Sequence, residues 1–418
     1  MRSWRDDARD HARQILQAAL EAVSPQVAMR QVARDADALV LPEGTRVRLA
    51  GRTVRVVALG KAAGMMAAHA QPWGPLAEVV VSAPYRVDIP GFEAYVGAHP
   101  LPDEESVRAG ERALELARAT GPDDLLILLL SGGASAMAEA PAVPLDDLRR
   151  ANEALLANGA PIEELNLVRR HLSRLKGGGL ARACRGELLA LCISDVDDVA
   201  TLGSGPAWPD ASRRADALRA LERRGLADVV PRSVREHLAR DEPPAPRLAP
   251  PRHVVLADNE TALRAAAARA AALGYEARVR ERWLRGEARE RGRELGALAR
   301  EPVARPTAHL AGGETTVRVV GGGRGGRNQE VALAAVDALS ARDALLATMG
   351  TDGVDGPTDA AGAIVDGLTR ARADALGLDA HAHLAENDAY AYFDALDDLI
   401  RTGPTGTNVR DVALLLVR

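Results

Sequence analysis

The chain has 418 residues, of which 47% are hydrophobic and 27% charged, and its formal net charge is −5 at pH 7. This composition is ordinary for a globular protein, and the length predicts two or three domains. The acidic balance and the scarcity of aromatic residues argue against a nucleic-acid partner, which would need basic surface and stacking platforms.

The first half of the chain predicts alternating strands and helices. Two helices are expected in the first forty residues, the second beginning at Ser24-Pro25. Strands are then expected at 47–49, 53–59, 78–82, 93–98, 125–130 and 187–193, and helices at 62–71, 104–119, 145–157 and 162–175. Because the run Leu125–Leu130 is wholly apolar, we expect a parallel sheet that is covered on both faces, in a doubly wound, Rossmann-like α/β domain.

Five prolines between Asp241 and Pro251 favour an extended linker. We therefore predict an N-terminal domain over residues 1–242 and a C-terminal domain over residues 252–418. In the second half, strands are expected at 253–257, 276–280, 307–310, 315–320, 344–348 and 412–417. Their alternation with helices predicts a second α/β domain.

The sequence favours a cytoplasmic protein that does not enter a membrane. Its N-terminal segment predicts a charged amphipathic helix rather than an apolar signal segment, and no apolar run approaches membrane-spanning length. Cys184 and Cys192 are too few for a disulfide framework, and neither has the spacing of a zinc site. A monomer and a homodimer both fit the sequence.

Only two lysines, Lys61 and Lys176, occur beside 51 arginines. Lysine is a compact point charge that approaches a single phosphoryl oxygen closely, which gives a reason to keep it at a reaction centre. Lys61 follows a predicted strand, so its ammonium is placed for a phosphate or a small carboxylate. Lys176 is predicted near the end of a helix, where it would contact a nucleotide or simply complement the helix dipole.

Further candidate residues follow other predicted strands. Small residues after the most apolar strand allow backbone amides to approach phosphate oxygens, and the candidates there are Ser131, Gly132, Gly133, Ala134 and Ser135. Asp195, just past the strand at 187–193, is placed to hold Mg²⁺ or to accept a proton from a hydroxyl. For the small residues at 131–135, the alternative is a tight turn that serves packing alone.

Two glycine-rich segments in the second half complete the candidate site. The segment at 321–330 fits G-x-G-x-x-G only weakly as a dinucleotide fingerprint, but it brings Arg327 to the start of a helix, with Gly323 and Asn328 as candidate nucleotide contacts. The acidic loop at 350–362 contains Asp352, a candidate for magnesium or substrate. Ordinary Asp-Gly turns explain each acidic residue of that loop singly.

Together these segments resemble the class II glycerate 2-kinase family, whose C-terminal part is often called the MOFRL domain. The resemblance spans almost the whole chain. It rests on GKAAGMM at 60–66, LSGGASAM at 130–137, LNLVRRHLSRLKGGGLA at 165–181, SDVDDV at 194–199, GSGP at 203–206, AGGETTV at 311–317, GGRNQE at 325–330, TDGVDGPTDAAGA at 351–363 and TGPTGTNV at 402–409.

The resemblance implies two α/β domains with an active site in the cleft between them, and transfer of the ATP γ-phosphoryl group to the 2-hydroxyl of D-glycerate with Mg²⁺. It implies that Lys61 and Arg327 are essential, and our hypothesis is that they face each other across that cleft. Asp195 or Asp352 would hold magnesium or accept the hydroxyl proton. The alternatives are an NAD(P)H-dependent hydroxypyruvate reductase and a non-catalytic module that binds a sugar acid.

Overall fold

The structure, a computed structural model, describes residues 4–240 and 249–418. They form two compact units, one over Ala28–Leu256 and the other made of the segment up to Val27 together with Ala257–Arg418. This division differs from the predicted domains 1–242 and 252–418, since the first helix belongs with the C-terminal unit. Residues 241–248 of the predicted linker lie outside the described residues.

The first half of the chain contains most of the predicted strands and helices. In chain order its elements are α1 (Trp4–Ala22), α2 (Pro25–Met29), β1 (Ala33–Asp35), β2 (Ala38–Val40), β3 (Arg46–Arg48), β4 (Val54–Leu59), α3 (Ala63–Ala70), β5 (Leu76–Ala83), β6 (Glu93–Val96), α4 (Glu104–Ala119), β7 (Leu125–Ser131), α5 (Ala134–Met137), α6 (Leu145–Ala157), α7 (Ile162–His171), α8 (Gly179–Ala183), β8 (Glu187–Ile193), α9 (Arg214–Arg223), α10 (Arg232–Ala239) and β9 (Arg252–Ala257).

The sheet of the unit Ala28–Leu256 has six strands in the order β6-β5-β4-β7-β8-β9. The pairs β6–β5, β5–β4, β4–β7 and β7–β8 are parallel. Counted from β4, this order is 3-2-1-4-5-6, the order of a doubly wound Rossmann sheet. Every residue of β7 is buried, as its apolar sequence predicts. The predicted fold class is confirmed.

The second half of the chain also alternates strands and helices. Its elements are α11 (Asn259–Ala272), β10 (Glu276–Leu284), α12 (Ala288–Ala297), β11 (Thr307–Gly313), α13 (Arg327–Ala334), α14 (Val336–Leu339), β12 (Ala344–Gly350), β13 (Gly362–Asp366), α15 (Thr369–Ala375), α16 (Ala380–Ala385), α17 (Ala389–Ala395), β14 (Leu399–Ile400) and β15 (Asp411–Val417).

The sheet of the C-terminal unit is mixed, with the strand order β10-β11-β15-β12-β13-β14. Strands β10 and β11 are parallel, whereas β15 runs antiparallel to both β11 and β12. As a result, the ends of β10, β11 and β12 and the start of β15 lie at one edge of the sheet. Helix α1 packs against α11 and β12, which explains why the N-terminal segment belongs to this unit.

Three local predictions are wrong. Residues 33–40, predicted as part of the second helix, form β1 and β2 of a small antiparallel sheet, whose third strand β3 lies where a strand was predicted. Residues 315–320 make only an isolated bridge between Thr316 and Glu287 rather than a strand, and Val319 and Val320 are exposed. The helix predicted to reach residue 175 ends at His171.

Among the described residues, no helix combines the length and the apolar character that crossing a membrane would need.

Candidate active site

Lys61 lies beyond the carboxyl end of β4, in the turn that leads into α3. Strand β4 has β5 on one side and β7 on the other, so the order of the sheet reverses at this strand. Open α/β sheets bind ligands at such a switch point, outside the carboxyl ends of the strands. The partly exposed Lys61 is therefore located where this fold binds its ligands.

Hydrogen bonds hold the turn after β7 against the Lys61 turn. The backbone N–H of Lys61 donates to the carbonyl oxygen of Gly132 at 2.9 Å, and the N–H of Ala62 donates to Ser131 Oγ at 3.0 Å. Ser131 is 1% exposed, and its hydroxyl donates to the carbonyl oxygen of Leu59 at 3.4 Å. Ser131 thus fixes the position of the lysine from inside the protein.

Asp195 and Lys61 lie against neighbouring glycines of this turn. A Cβ atom on Gly132 would be 2.1 Å from Asp195 Oδ2, and one on Gly133 would be 3.4 Å from Lys61 Cγ. Only glycine at position 132 leaves room for the Asp195 carboxylate. The structure therefore brings Lys61, the glycine turn and Asp195 to the same edge of one sheet.

Ser135, in α5 next to Ala134, joins a polar network at this edge. Its hydroxyl donates to Ser204 Oγ at 2.8 Å, and the Ser204 hydroxyl donates to Asn166 Oδ1 at 3.1 Å. Ser204 has a left-handed φ of 61° although it is not a glycine. The network ties the glycine turn to α7 and to the GSGP segment at 203–206.

Lys176 is buried and forms an ion pair with Glu139. Its ammonium donates to Glu139 Oε2, and the two side chains are 2% and 1% exposed. Burial lowers the pKa of Lys176, and the neighbouring Glu139 opposes this shift. Helix α7 ends at His171, so Lys176 is not the helix-terminal cation that one interpretation predicted. Its observed partner favours a structural role for this lysine.

Arg327, the first residue of α13, contacts two carboxylates. Its Nε and Nη2 donate to Asp411 Oδ2 and Oδ1 at 2.6 and 2.9 Å, and Nη1 is 2.9 Å from Glu314 Oε1. Burial raises the pKa of Asp411 to about 6, because the attraction of Arg327 offsets only part of the desolvation. Burial alone would lower the pKa of Arg327, but both carboxylates outweigh it and raise that pKa.

The backbone amides at the start of α13 are occupied by Asp355. Its Oδ1 accepts from the N–H of Asn328 at 3.0 Å and from Asn328 Nδ2 at 3.2 Å, while Oδ2 accepts from the N–H of Gln329 at 2.9 Å. Asp355 is 1% exposed. A carboxylate of the protein thus lies where a phosphate would bind a helix N-terminus. Asn328 contacts this carboxylate.

Gly323 packs closely against the segment that precedes α17. Its N–H donates to the carbonyl oxygen of Glu386 at 2.8 Å, and a Cβ atom on it would be 2.4 Å from Asp388 Cβ. Arg324, the next residue, lies over the ring of Tyr390 at 4.4 Å. Packing within the unit therefore accounts for a glycine at position 323.

The two predicted metal ligands, Asp195 and Asp352, belong to different compact units. Both are partly exposed, and Asp352 Oδ1 accepts from the N–H of Val354 at 3.2 Å. Over residues 4–240 and 249–418, no three His, Cys, Asp or Glu side chains form a group suited to a metal ion. Mg²⁺ often takes one or two carboxylates and completes its shell with water and substrate phosphates, so single accessible aspartates fit it.

The sequence did not reveal the carboxylates that pair with Lys176 and Arg327. Glu139 is the only charged residue between Ser131 and Leu145, and such an isolated charge in an apolar segment is a usable signal of a buried pair. Asp411 is the first residue of an apolar strand. Its sequence neighbours do not distinguish it from any other aspartate at the end of a strand. Glu314 lies in the segment AGGETTV at 311–317, whose sequence pattern does not indicate a site residue.

Comparisons with known proteins match both halves of the chain. Residues 11–239 match the family described as a domain of unknown function, DUF4147, and residues 307–411 match the MOFRL family. A protein of Pyrococcus horikoshii named glycerate 2-kinase is 35% identical over 98% of both chains. A protein of Agrobacterium vitis, named only provisionally as a hydroxypyruvate reductase, is 40% identical over 99% of this chain and 96% of its own.

A solved structure agrees over the same length. The crystal structure of a glycerate kinase from Thermotoga maritima superposes with a TM-score of 0.87 at 37% identity, covering 99% of this chain and all of its own. The similarity therefore extends over both compact units.

Proposed function

The chain belongs to the glycerate kinase family with a C-terminal MOFRL domain, and we propose that it is a glycerate 2-kinase. The reaction would transfer the γ-phosphoryl group of ATP to the 2-hydroxyl of D-glycerate and release ADP and 2-phosphoglycerate. The observation that carries the proposal is the location of Lys61 and Asp195 at neighbouring glycines of one turn, at the carboxyl ends of the strands of a doubly wound sheet.

The residues present suit phosphoryl transfer, which depends on positioning and charge neutralisation more than on covalent chemistry. Lys61 supplies a compact cation to one phosphoryl oxygen, and Arg327, oriented by Asp411, supplies a planar one. We propose that both act on the transferring group. Lys176 is not assigned to the nucleotide, because its ammonium is buried against Glu139.

We propose that Asp195 or Asp352 holds Mg²⁺ together with the nucleotide phosphates. When bound, the ion would neutralise charge on the β- and γ-phosphates. The other aspartate is then available to accept the proton of the substrate hydroxyl. The glycine turn at 132–133 supports this assignment for Asp195, because Gly132 leaves room for the carboxylate in the same turn that contacts Lys61.

Three observations weigh against the reductase. The turn after β4 has Ala62 and Met65 where a dinucleotide fingerprint beginning at Gly60 has its second and third glycines, and β5 ends at Ser82-Ala83 without the acidic residue that would bind a ribose. The glycine cluster at 321–326 precedes a helix whose amides already bind Asp355, and that carboxylate would repel a pyrophosphate.

Phosphorus NMR of the products formed from D-glycerate, ATP and Mg²⁺ tests the proposal directly. We expect ADP and 2-phosphoglycerate, and 3-phosphoglycerate as the product would contradict the assigned position of transfer. In a parallel assay with NADH and hydroxypyruvate, we expect no loss of NADH absorbance. Thermal stabilisation by glycerate without any turnover of ATP would support a binding module instead.

A further inference from the structure

Arg410 occupies an unusual backbone position directly before Asp411, the residue that orients Arg327. Its φ is 73°, in the left-handed region, which is unfavourable for a residue with a long side chain. Residues with strained backbone of this kind occur most often at binding and catalytic sites, where the surrounding structure enforces the conformation. The surrounding structure must therefore enforce this conformation of Arg410.

Three hydrogen bonds hold the Arg410 backbone in this conformation. Its carbonyl oxygen accepts from the N–H of Thr351 at 3.0 Å and from Thr351 Oγ1 at 2.6 Å, and its own N–H donates to Asn408 Oδ1 at 3.0 Å. Thr351 begins the acidic loop that follows β12, and Asn408 belongs to the segment before β15. Two of the family segments, 351–363 and 402–409, thus combine to set the direction of one arginine.

The Arg410 side chain lies over an aromatic ring at the same edge of the sheet. Its guanidinium carbon is 4.6 Å from the centre of the Trp283 ring, and the side chain is 14% exposed. A guanidinium stacked on an indole face keeps its N–H groups in its own plane, where they remain able to donate. Arg410 is thus pre-oriented for an acceptor beside the ring.

Glu314 lies between Arg410 and Arg327. Its Oε1 is 2.9 Å from Arg327 Nη1, and its Oε2 is 3.9 Å from Arg410 Nε. The Glu314 side chain is 49% exposed, whereas that of Asp411 is 8% exposed. Asp411 is therefore a permanent partner of Arg327, while the half-exposed Glu314 carboxylate can exchange for another anion without changing the local charge.

We propose that Arg410 is a substrate-binding residue, which together with Arg327 binds an anionic group of a substrate in exchange for the Glu314 carboxylate. This inference rests on the proposed kinase function. The bound group is an oxyanion, planar in a carboxylate or tetrahedral in a phosphate, and both guanidinium groups donate hydrogen bonds to it. It can come from the carboxylate of glycerate or from a phosphate of the nucleotide.

Steady-state kinetics of Arg410→Gln distinguishes these two sources. We expect the KM of the substrate that carries the bound anion to rise about 10- to 100-fold, the factor expected for losing a charged hydrogen bond. A higher KM for glycerate identifies the carboxylate, and a higher KM for ATP identifies a phosphate. Arg410→Lys should restore part of the loss, and Glu314→Gln should lower the same KM.

Arg370→Gln is the matched control, because Arg370 forms an exposed ion pair with Asp337 in the same unit. It should leave both KM values unchanged. Unchanged KM values in Arg410→Gln would overturn the proposal. So would an equal loss in the glutamine and lysine variants accompanied by a lower melting temperature, because that pattern indicates a purely structural arginine.

Calorimetric titration with D-glycerate alone and with inorganic phosphate alone separates this inference from the kinase assignment. If the wild-type protein shows no phosphoryl transfer but binds one of these anions, and Arg410→Gln weakens that binding, the kinase proposal fails and the anion site stands. If transfer occurs and Arg410→Gln alters neither binding nor KM, the anion site fails alone.

Discussion

Both carboxylate oxygens of Asp411 accept hydrogen bonds from the guanidinium of Arg327, at 2.6 and 2.9 Å. The pair joins the first residue of α13 to the first residue of β15, so it fixes where the arginine points. A bidentate pair of this kind supplies geometric precision as well as energy.

Asp411→Asn should lower kcat about 10- to 100-fold, because a small misplacement of a catalytic group is enough for such a loss. The asparagine has nearly the same shape but offers one oxygen where Asp411 offers two. Steady-state kinetics with ATP and glycerate measures the effect, with circular dichroism to verify the fold. A variant with wild-type kcat would mean that Asp411 does not position Arg327 for catalysis.

The pKa of Asp411, raised to about 6 by burial, predicts opposite effects of pH on activity and on stability. Below about pH 6 the carboxyl group is protonated and no longer holds Arg327 with both oxygens, so kcat should fall. The unfolded chain has a pKa of about 3.9 for this group. The folded protein therefore binds the proton more tightly, and the contribution of Asp411 to the free energy of unfolding should decrease as pH rises from about 4 to about 6.

Comparison with Asp411→Asn isolates this group from the other carboxylates. The difference in unfolding free energy between wild type and variant should change between about pH 4 and pH 6, and the acidic limb of the kcat profile should be absent from the variant. An acidic limb retained in full would assign that titration to another group.

The sequence predicted elements whose determinants are local. Helix α4 begins and ends as predicted, and Asp103 caps it by accepting from the N–H of Ser106 at 2.8 Å. The prediction of a strand at 315–320 is wrong because, among residues 4–240 and 249–418, Val319 and Val320 have no neighbouring strand with which to pair. Alternating apolar residues indicate a strand only if tertiary structure supplies a partner.

The carboxylate partners of Lys176 and Arg327 could not be predicted, because these pairs also depend on tertiary structure. Glu139 is 37 residues from Lys176, and Asp411 is 84 residues from Arg327. Folding brings these pairs together across loops that no local pattern describes. The cations themselves were identifiable: Lys176, like Lys61, because lysine is otherwise absent, and Arg327 because a glycine-rich segment brings it to the start of a helix.

Substitution of the assigned phosphoryl contacts should abolish transfer without unfolding the protein. Lys61→Ala and Arg327→Ala should each lower kcat about 10²- to 10⁵-fold, the range associated with charged groups that stabilise a transferring phosphoryl group. Lys61→Arg should not restore activity, because the planar guanidinium does not replace a compact ammonium. Coupled measurement of ADP release provides the rates, and near-wild-type rates in both alanine variants would refute the assignment.

The buried pair of Lys176 and Glu139 predicts non-additive stability changes. Lys176→Met leaves a buried carboxylate without its cation and should lower the free energy of unfolding by about 3–5 kcal/mol. Adding Glu139→Gln removes that charge, so the double variant should be more stable than Lys176→Met alone. Urea denaturation provides both values.

Activity of the double variant also decides the role of this lysine. If Lys176 is structural, the folded double variant should retain its KM for ATP. A large rise of that KM in a variant of near-wild-type stability would instead support the nucleotide contact predicted from the sequence.

Two neighbouring glycines of the loop at 321–326 provide a matched test of why glycine is needed there. A Cβ atom on Gly323 would lie 2.4 Å from Asp388 Cβ, whereas one on Gly322 would meet no atom within 4 Å. Gly323→Ala should therefore lower the free energy of unfolding by about 1–3 kcal/mol, as overpacking does. Gly322→Ala should stay within about 0.5 kcal/mol of wild type.

The KM for ATP separates packing from phosphate binding in this loop. Because the Asp355 carboxylate already binds the amides of α13, we expect Gly322→Ala to leave that KM unchanged. A raised KM at unchanged stability would place a nucleotide phosphate against the loop, since the added methyl group at position 322 would meet no other atom within 4 Å in the described part of the chain. The structure favours packing, because Gly323 is held by Glu386 and Asp388 of the chain itself.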